Sequence, residues 1–293
     1  MLFNCIRRHS RSLLGTVFLA IIFFFGNRGG SLFAIDASAI STPEHFTKGA
    51  SEAKLLNLNV FAAVSASIEA QAQSASRLLE EYVQLQSFSR KGFQVHCTLY
   101  MTRFPAERLA SVTAIIKEVA GEVKPFKAFS EGVFRTTNDW LFVNLRKTRD
   151  LQLLSDHIVT LLSPLRSNDP HIPAWAKSMP EKVEKIKLYG SPNVFDQFAP
   201  HLTLLAKTDA ALLDTFMATA TARLDLTQPI DGEIISIGVG EADGNGQVAK
   251  SIAIFPLSSN VDDTKSIEKN GASSTPSAPL SSTPDEGIAT ASH

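Results

Sequence analysis

Two separate segments of this chain carry the motif His-x-Thr-Leu within a pattern of alternating polar and apolar residues. The first motif is His96-Cys97-Thr98-Leu99, and the second is His201-Leu202-Thr203-Leu204, which begins 105 residues later (201 − 96). Side chains two residues apart on a β-strand point to the same face. Each motif therefore delivers one imidazole and one hydroxyl to one surface. If the fold brings the two strands together, a paired acid and base with two hydrogen-bond donors results.

The pattern around each motif predicts a strand that is buried on one side only. Around the first motif, the polar face carries Gln94, His96, Thr98, Tyr100 and Thr102, and the apolar face carries Phe93, Val95, Cys97, Leu99 and Met101. The second motif repeats the alternation more loosely, and Pro200 suits the start of a strand, where its missing N–H costs least. As an alternative, both histidines are half-buried strand residues without a chemical role.

Five further side chains are candidates for substrate contacts. Tyr100 continues the polar face of the first strand, and we predict that it binds substrate; a structural hydroxyl is the alternative. Lys207 shares the face of His201, and we predict that it adds positive charge for substrate binding; an exposed lysine at a strand end is the alternative. Trp140, Tyr189 and Phe195 are candidate surfaces for stacking a base, with core packing as the alternative.

The elements around the motifs follow one order twice: a strand with the motif, a helix, and two further strands. The predicted helices cover residues 67–85, 106–123, 150–165 and 209–224, and the other predicted strands cover 56–64, 126–136, 140–145, 233–239 and 248–255. Mixed helices and mainly antiparallel strands predict an α+β fold. The repeated order predicts two related lobes, each of which contributes one histidine.

The two ends of the chain are predicted to lie outside this fold. Three arginines within residues 1–12, an apolar run over residues 13–25 and the small residues Ala37-Ser38-Ala39 are typical of a secretory signal peptide over residues 1–39. We therefore expect an exported protein, periplasmic or secreted; a membrane anchor through residues 13–25 is the alternative. Residues 258–293 are rich in Ser, Thr and Pro, which predicts a disordered tail.

Residues 40–257 are enough for one domain with a substantial core. A formal net charge of −1 argues against long duplex nucleic acid as a partner, so a nucleotide or short oligonucleotide is expected. Signal cleavage would remove Cys5 and leave Cys97 alone, facing the predicted core, so no intramolecular disulfide is expected. Two histidines are short of the three protein ligands of a catalytic zinc. We expect a monomer without a metal or other cofactor.

Two histidines on one surface suit proton transfer near neutral pH, because the unperturbed pKa of imidazole lies close to it. One imidazole can take a proton from water or a sugar hydroxyl while the other protonates the departing oxygen. The threonine hydroxyls can donate to non-bridging phosphate oxygens, where negative charge builds as the bond breaks. A phosphodiester needs this set of groups.

The two motifs, with Phe198-Ala199-Pro200 leading into the second, resemble the 2H phosphoesterase superfamily, which includes the LigT-like 2′-5′ RNA ligases and the cyclic phosphodiesterases. The resemblance implies a bilobal fold of two pseudo-symmetric lobes around a central cleft, with metal-independent catalysis. It implies that His96 and His201 are catalytic and that Thr98 and Thr203 bind the phosphate. The implied substrates are 2′,3′-cyclic phosphates, 2′-5′ linkages or related nucleotide phosphodiesters. Two alternatives stay open: a non-catalytic nucleotide-binding module, and a core that only presents the tail to a partner.

Overall fold

The structure of this chain, a computed structural model, describes residues 54–258. The predicted signal peptide over residues 1–39 and the predicted tail beyond Ser258 lie outside the described residues. Export, membrane anchoring and a disordered tail therefore stay predictions. Within residues 54–258, no helix combines the length and the apolar character that crossing a membrane requires.

Seven strands and six α-helices make up the described fold. The strands are β1 (Leu55–Val64), β2 (Cys97–Pro105), β3 (Phe126–Arg135), β4 (Leu141–Leu145), β5 (His201–Leu205), β6 (Ile230–Ala242) and β7 (Val248–Pro256). The helices are α1 (Ala66–Val83), α2 (Leu109–Glu122), α3 (Arg149–Leu162), α4 (Pro180–Tyr189), α5 (Ala210–Thr221) and α6 (Leu224–Thr227). Every strand pair is antiparallel, which confirms the predicted α+β class.

Six strands close into a ring in the order β1-β2-β5-β4-β3-β6, because β1 pairs with both β2 and β6. The long strand β6 makes this closure possible. Its first half pairs with β3 and its second half with β7, while its other edge pairs with β1. The ring therefore brings the first strand of the fold against a strand near the end of the described chain.

The hairpins that follow the two motifs are exchanged between the two halves of the ring. The first motif lies at the start of β2, and the β3–β4 hairpin follows it in the chain, yet β4 pairs with β5, the strand of the second motif. The β6–β7 hairpin follows β5, yet β6 pairs with β1, which pairs with β2. Each lobe therefore joins one motif strand to the hairpin that follows the other motif.

Helix α3 packs against β2 and holds the strand that follows the first motif. The helix begins after Thr148, whose hydroxyl accepts the backbone N–H of Leu151 as an N-cap. Its buried apolar residues recur at helical spacing: Leu151, Leu154, Ile158 and Leu162. From the same face, the Ser155 hydroxyl donates to the carbonyl oxygen of Leu99 at 2.9 Å. The helix thereby binds the backbone of β2 as well as its apolar side chains.

Strand β2 contains a bulge at Leu99, inside the first motif. Val60 of β1 pairs with Tyr100 and Phe61 pairs with Thr98, so Leu99 has no partner on β1. Side chains on the two sides of such a bulge no longer follow one alternation. Beyond Leu99, the side chains of β2 that would continue the face of His96 and Thr98 therefore point to the opposite side of the strand.

The prediction that Tyr100 lies on the face of His96 and binds substrate is wrong, because this bulge turns it into the core. The Tyr100 side chain is 1% exposed, and its hydroxyl donates to the carbonyl oxygen of Tyr189 at the end of α4. Burial raises the pKa of this hydroxyl. Tyr100 is a structural residue that ties α4 to β2.

Candidate active site

A single residue pair brings the two motifs together. Cys97 on β2 pairs with Leu202 on β5, and the strands run antiparallel. Both side chains point into the core, with exposures of 0% and 1%. Because neighbouring residues on a strand face opposite sides, the motif residues on either side of this pair share the other face.

In this register, each histidine lies opposite the threonine of the other motif. His96 lies opposite Thr203, and His201 lies opposite Thr98. Side chains directly opposite on antiparallel strands have Cβ atoms about 4.5–5.5 Å apart. The structure therefore brings together the four residues that the sequence predicted, and we call this group the two-histidine site.

Both histidines make the same hydrogen bond to the chain that leads into their strand. Nδ1 of His96 donates to the carbonyl oxygen of Gln94, and Nδ1 of His201 donates to that of Ala199, each at 2.8 Å. A carbonyl oxygen only accepts, so each Nδ1 carries a proton. In the neutral state, each Nε2 then carries the lone pair that can accept a proton.

An aromatic ring holds each imidazole in place. Phe61 of β1 packs edge-to-face on His96, with ring centroids 5.5 Å apart and an interplanar angle of 65°. Phe142 of β4 stacks on His201, with centroids 4.0 Å apart and an angle of 24°. Half-buried Trp140 extends this aromatic surface, 6.2 Å from Phe142 between centroids. The rings limit the rotation of both imidazoles.

Both histidines are uncharged near neutral pH. His96 is 5% exposed, and burial lowers its pKa to about 4 despite the opposing hydrogen bond to Gln94; a charge on His201 lowers this pKa further, and Asp243 raises it. Burial also lowers the pKa of His201, against the hydrogen bond to Ala199. A proton on either imidazole therefore needs a nearby negative charge to stabilise it.

Asn59 of β1 also belongs to the site, although neither motif includes it. Its side chain is fully buried, and Nδ2 lies 2.8 Å from Thr98 Oγ1, 3.2 Å from His96 Nε2 and 2.9 Å from the carbonyl oxygen of Gly246. The sequence offers one signal, since Asn59 is one of two asparagines, with Asn57, in a strand whose other residues are apolar. That signal does not reveal which residues the amide contacts.

Cys97 lies beside the site in sequence but faces away from it. Its side chain is fully buried, and burial raises its pKa to about 12, so the thiol stays protonated and is no nucleophile. Among residues 54–258, no three His, Cys, Asp or Glu side chains are grouped so that they could hold a metal ion.

Lys207 lines a groove next to the two-histidine site. The groove encloses about 230 Å³, and its polar lining consists of Gln86, Lys91, Lys207, Thr208 and Asn245. Within the described part of the chain, neither lysine forms an ion pair. Asn245 directly precedes Gly246, which contacts Asn59, so the groove adjoins the site. Substrate binding by Lys207 stays a prediction.

The family model described as the 2′-5′ RNA ligase superfamily matches residues 66–246. The crystal structure of TT0787 of Thermus thermophilus is 17% identical, with 69% of this chain and 98% of that chain covered and a TM-score of 0.43. Escherichia coli LigT complexed with 3′-AMP is 13% identical, with 70% and 99% covered and a TM-score of 0.40. Its apo form is 12% identical, with the same coverage and a TM-score of 0.38. No curated protein matches the chain.

The matched residues span more than half of the chain and include both His-x-Thr-Leu motifs. The chain therefore belongs to the 2′-5′ RNA ligase superfamily, the 2H phosphoesterases.

Proposed function

We propose that this protein is a phosphodiesterase that cleaves a 2′,3′-cyclic phosphate, a 2′-5′ linkage or a related nucleotide phosphodiester by acid–base catalysis without a metal ion. The observation that carries the proposal is the pairing of Cys97 with Leu202, which puts two imidazoles and two threonine hydroxyls on one face. A 2H phosphoesterase with both motifs intact has the groups that this chemistry needs.

The reaction uses the two Nε2 atoms in opposite senses. One imidazole takes a proton from the attacking water as its oxygen bonds to phosphorus. The bond between phosphorus and the leaving sugar oxygen breaks, and the other imidazole, protonated beforehand, gives that oxygen its proton. A 2′,3′-cyclic phosphate gives one nucleotide that carries both the phosphomonoester and the freed hydroxyl. A diester that joins two nucleotides gives one product with the phosphomonoester and another with the freed hydroxyl. Proton exchange with solvent then restores both histidines.

The charge state of the site favours an anionic substrate. Both histidines are neutral before binding, and none of the four site residues is a carboxylate. No negative charge among these residues therefore repels the phosphodiester anion. Its negative charge raises the pKa of a nearby imidazole and thereby protonates the group that acts as the acid. Thr98 and Thr203 donate to the two non-bridging oxygens and stabilise their growing charge.

The aromatic surface beside His201 supports a nucleotide as the substrate. Trp140 is half-buried and adjoins Phe142, which itself stacks on His201. A base that stacks on an exposed aromatic ring gains about 1–3 kcal/mol, whatever its identity. We expect the base of the substrate to stack on Trp140 while the phosphate lies between the two histidines.

The test uses the full chain in EDTA with 2′,3′-cyclic nucleotides and a 2′-5′-linked dinucleotide as substrates. His96→Ala and His201→Ala should each reduce turnover by about 10²–10⁴-fold, because each removes one proton-transfer group. His157→Ala is the matched control, since His157 is exposed on α3 and lies outside the two-histidine site. It should leave turnover unchanged.

Three results would contradict the proposal. Turnover that chelation abolishes would mean that a metal ion takes part. Turnover that persists in either histidine variant would remove that histidine from the reaction. Nucleotide binding without turnover by the wild type would favour the non-catalytic binding module.

A further inference from the structure

Asn59 is the buried polar residue that links both residues of the first motif to the turn between β6 and β7. Its amide nitrogen lies within hydrogen-bond distance of Thr98 Oγ1, His96 Nε2 and the Gly246 carbonyl oxygen. We propose that Asn59 is a positioning residue that orients the Thr98 hydroxyl towards the substrate phosphate and keeps His96 in the form of a general base. This inference rests on the proposed phosphodiesterase function.

The carbonyl of Gly246 fixes which way the amide points. Rotating the amide by 180° would place Oδ1 against this oxygen, and two acceptors repel. Nδ2 therefore faces Gly246 at 2.9 Å, and the same nitrogen must also face His96 and Thr98. In this orientation Oδ1 is buried and has no hydrogen-bond partner among the described residues. The donor side of the amide is thus placed at the site although its acceptor goes unpaired.

The turn that carries Gly246 is itself held rigidly. A carboxylate oxygen of Asp243 accepts the backbone N–H groups of Asn245 and Gln247, each at 2.8 Å. Gly246 adopts a φ of +78°, a conformation that favours glycine. The carbonyl that aims Asn59 therefore has a fixed position.

The two amide protons of Asn59 serve three acceptors. This arrangement determines where the Thr98 hydroxyl proton points and whether His96 Nε2 is protonated. One proton goes to Gly246, and the other is shared between Thr98 Oγ1 and His96 Nε2. Since Thr98 Oγ1 accepts from Asn59, its own proton is left for the phosphate oxygen. Since His96 Nε2 faces an N–H donor, protonation of Nε2 before the reaction is disfavoured. When the shared N–H turns wholly to Thr98 Oγ1, the lone pair of Nε2 is released to take the proton from water.

Asn59 thereby distinguishes the two histidines, which otherwise make matching hydrogen bonds. Within residues 54–258, no donor faces Nε2 of His201 in the way that Asn59 faces Nε2 of His96. His96 then takes the proton from the attacking water, and His201, protonated when the anionic substrate binds, gives its proton to the leaving oxygen. The titratable groups that act on His96 are His201 on β5 and Asp243 in the β6–β7 turn.

The experiment compares Asn59→Ala and Asn59→Asp with Asn57→Ala in the full chain. Asn57 lies on the same strand, and its amide donates to Ala242 at 3.5 Å, but it does not contact the two-histidine site. Asn59→Ala should reduce kcat by about 10- to 100-fold, because misplaced reacting groups cost about that much, with a smaller change in KM. Asn57→Ala should leave both constants unchanged.

A pH titration of the His96 ring by ¹⁵N NMR provides a readout that does not depend on turnover. The pKa of His96 should rise in Asn59→Ala, which loses the N–H, and rise further in Asn59→Asp, which adds a negative charge. The acidic limb of the kcat profile should move to higher pH in the same order. Thermal unfolding identifies a variant that fails to fold, and the nearly isosteric Asn59→Asp then carries the test.

The inference is overturned if Asn59→Ala matches Asn57→Ala in kcat and in the His96 titration. It is also overturned if His201 rather than His96 shifts its pKa. A wild type without phosphodiesterase activity would contradict the proposed function instead, and the NMR titration would still decide whether Asn59 controls His96.

Discussion

Replacing Gly238 by alanine tests whether the packing behind His96 holds its imidazole in place. Gly238 on β6 pairs with Phe61 on β1, and a Cβ at position 238 would lie only 2.3 Å from Cζ of the Phe61 ring. Two further ring atoms would lie at 2.6 and 2.8 Å. The ring is fully buried and packs on His96, so it must move and disturb the histidine.

The cost of this substitution follows from the filled space around the ring. Overpacking a core costs about 1–3 kcal/mol. For a domain of this size, that corresponds to a fall in Tm of about 2–12 °C. A shift of about 1 Å at a reacting group costs up to about 100-fold in rate. We expect Gly238→Ala to lower both Tm and kcat, with thermal unfolding and steady-state kinetics as the assays.

Two further variants separate this clash from a general effect of alanine. Gly121→Ala is the matched control: no atom lies within 4 Å of a Cβ at that position of α2, so the protein should keep its activity, and its Tm should stay the same or rise slightly because alanine favours a helix more than glycine does. Adding Phe61→Leu to Gly238→Ala removes the distal ring atoms and should recover much of the lost Tm. Wild-type Tm and kcat in Gly238→Ala would refute the reasoning, and so would a double variant no more stable than the single one.

Four other outcomes are expected. The kcat/KM profile should be bell-shaped, with its maximum between about pH 4 and 6.5. His96 must be neutral, and its pKa is about 4; His201 must be protonated, and its pKa is lowered from 6.5. A maximum above pH 7 would contradict this prediction. The unfolded chain binds a proton at His96 from pH 6.5 and the folded chain only near pH 4, so urea unfolding should show a loss of about 3 kcal/mol as the pH falls through this range. His96→Gln should lack that component. Phe142→Leu should lower kcat by about 2- to 10-fold, because it removes an aromatic contact with His201 that is worth about 0.5–1.5 kcal/mol. An unchanged kcat would mean that the stacked ring does not orient the imidazole. Lys207→Ala should raise KM by up to about fivefold, since an exposed charge pair contributes at most about 1 kcal/mol; a KM that does not change at low salt would exclude a substrate contact.

The two motif strands could be predicted because one local pattern determines both their conformation and the face of their histidines. The bulge at Leu99 could not, since the alternation of polar and apolar residues continues through Tyr100 and Thr102 without a break. Whether a strand bulges depends on the pairing offered by its neighbour, here the shift between Val60 and Phe61. The burial of Tyr100 is therefore a property of the strand pair, not of either sequence segment.

Other features escaped prediction because they depend on distant partners or weak local patterns. Helix α4 was not predicted, since half of its residues are charged and Ile186 is its only buried residue. The single helix predicted over residues 209–224 is interrupted between α5 and α6. The exchange of hairpins between lobes joins strands whose local patterns do not specify their neighbours. Asn59 was missed for the same reason, because its partner His96 lies 37 residues away.

The closure of the strand ring has a consequence for how the protein acquires activity. Pairs such as Leu58 with Glu241 join positions 183 residues apart (241 − 58), and contacts over such separations form slowly because a long loop must first be closed. During synthesis, both motifs are made before β6, so the nascent chain carries all four site side chains before the ring can close. Activity should therefore appear late in refolding, with the slowest kinetic phase, because only the closed ring holds both halves of the site in place.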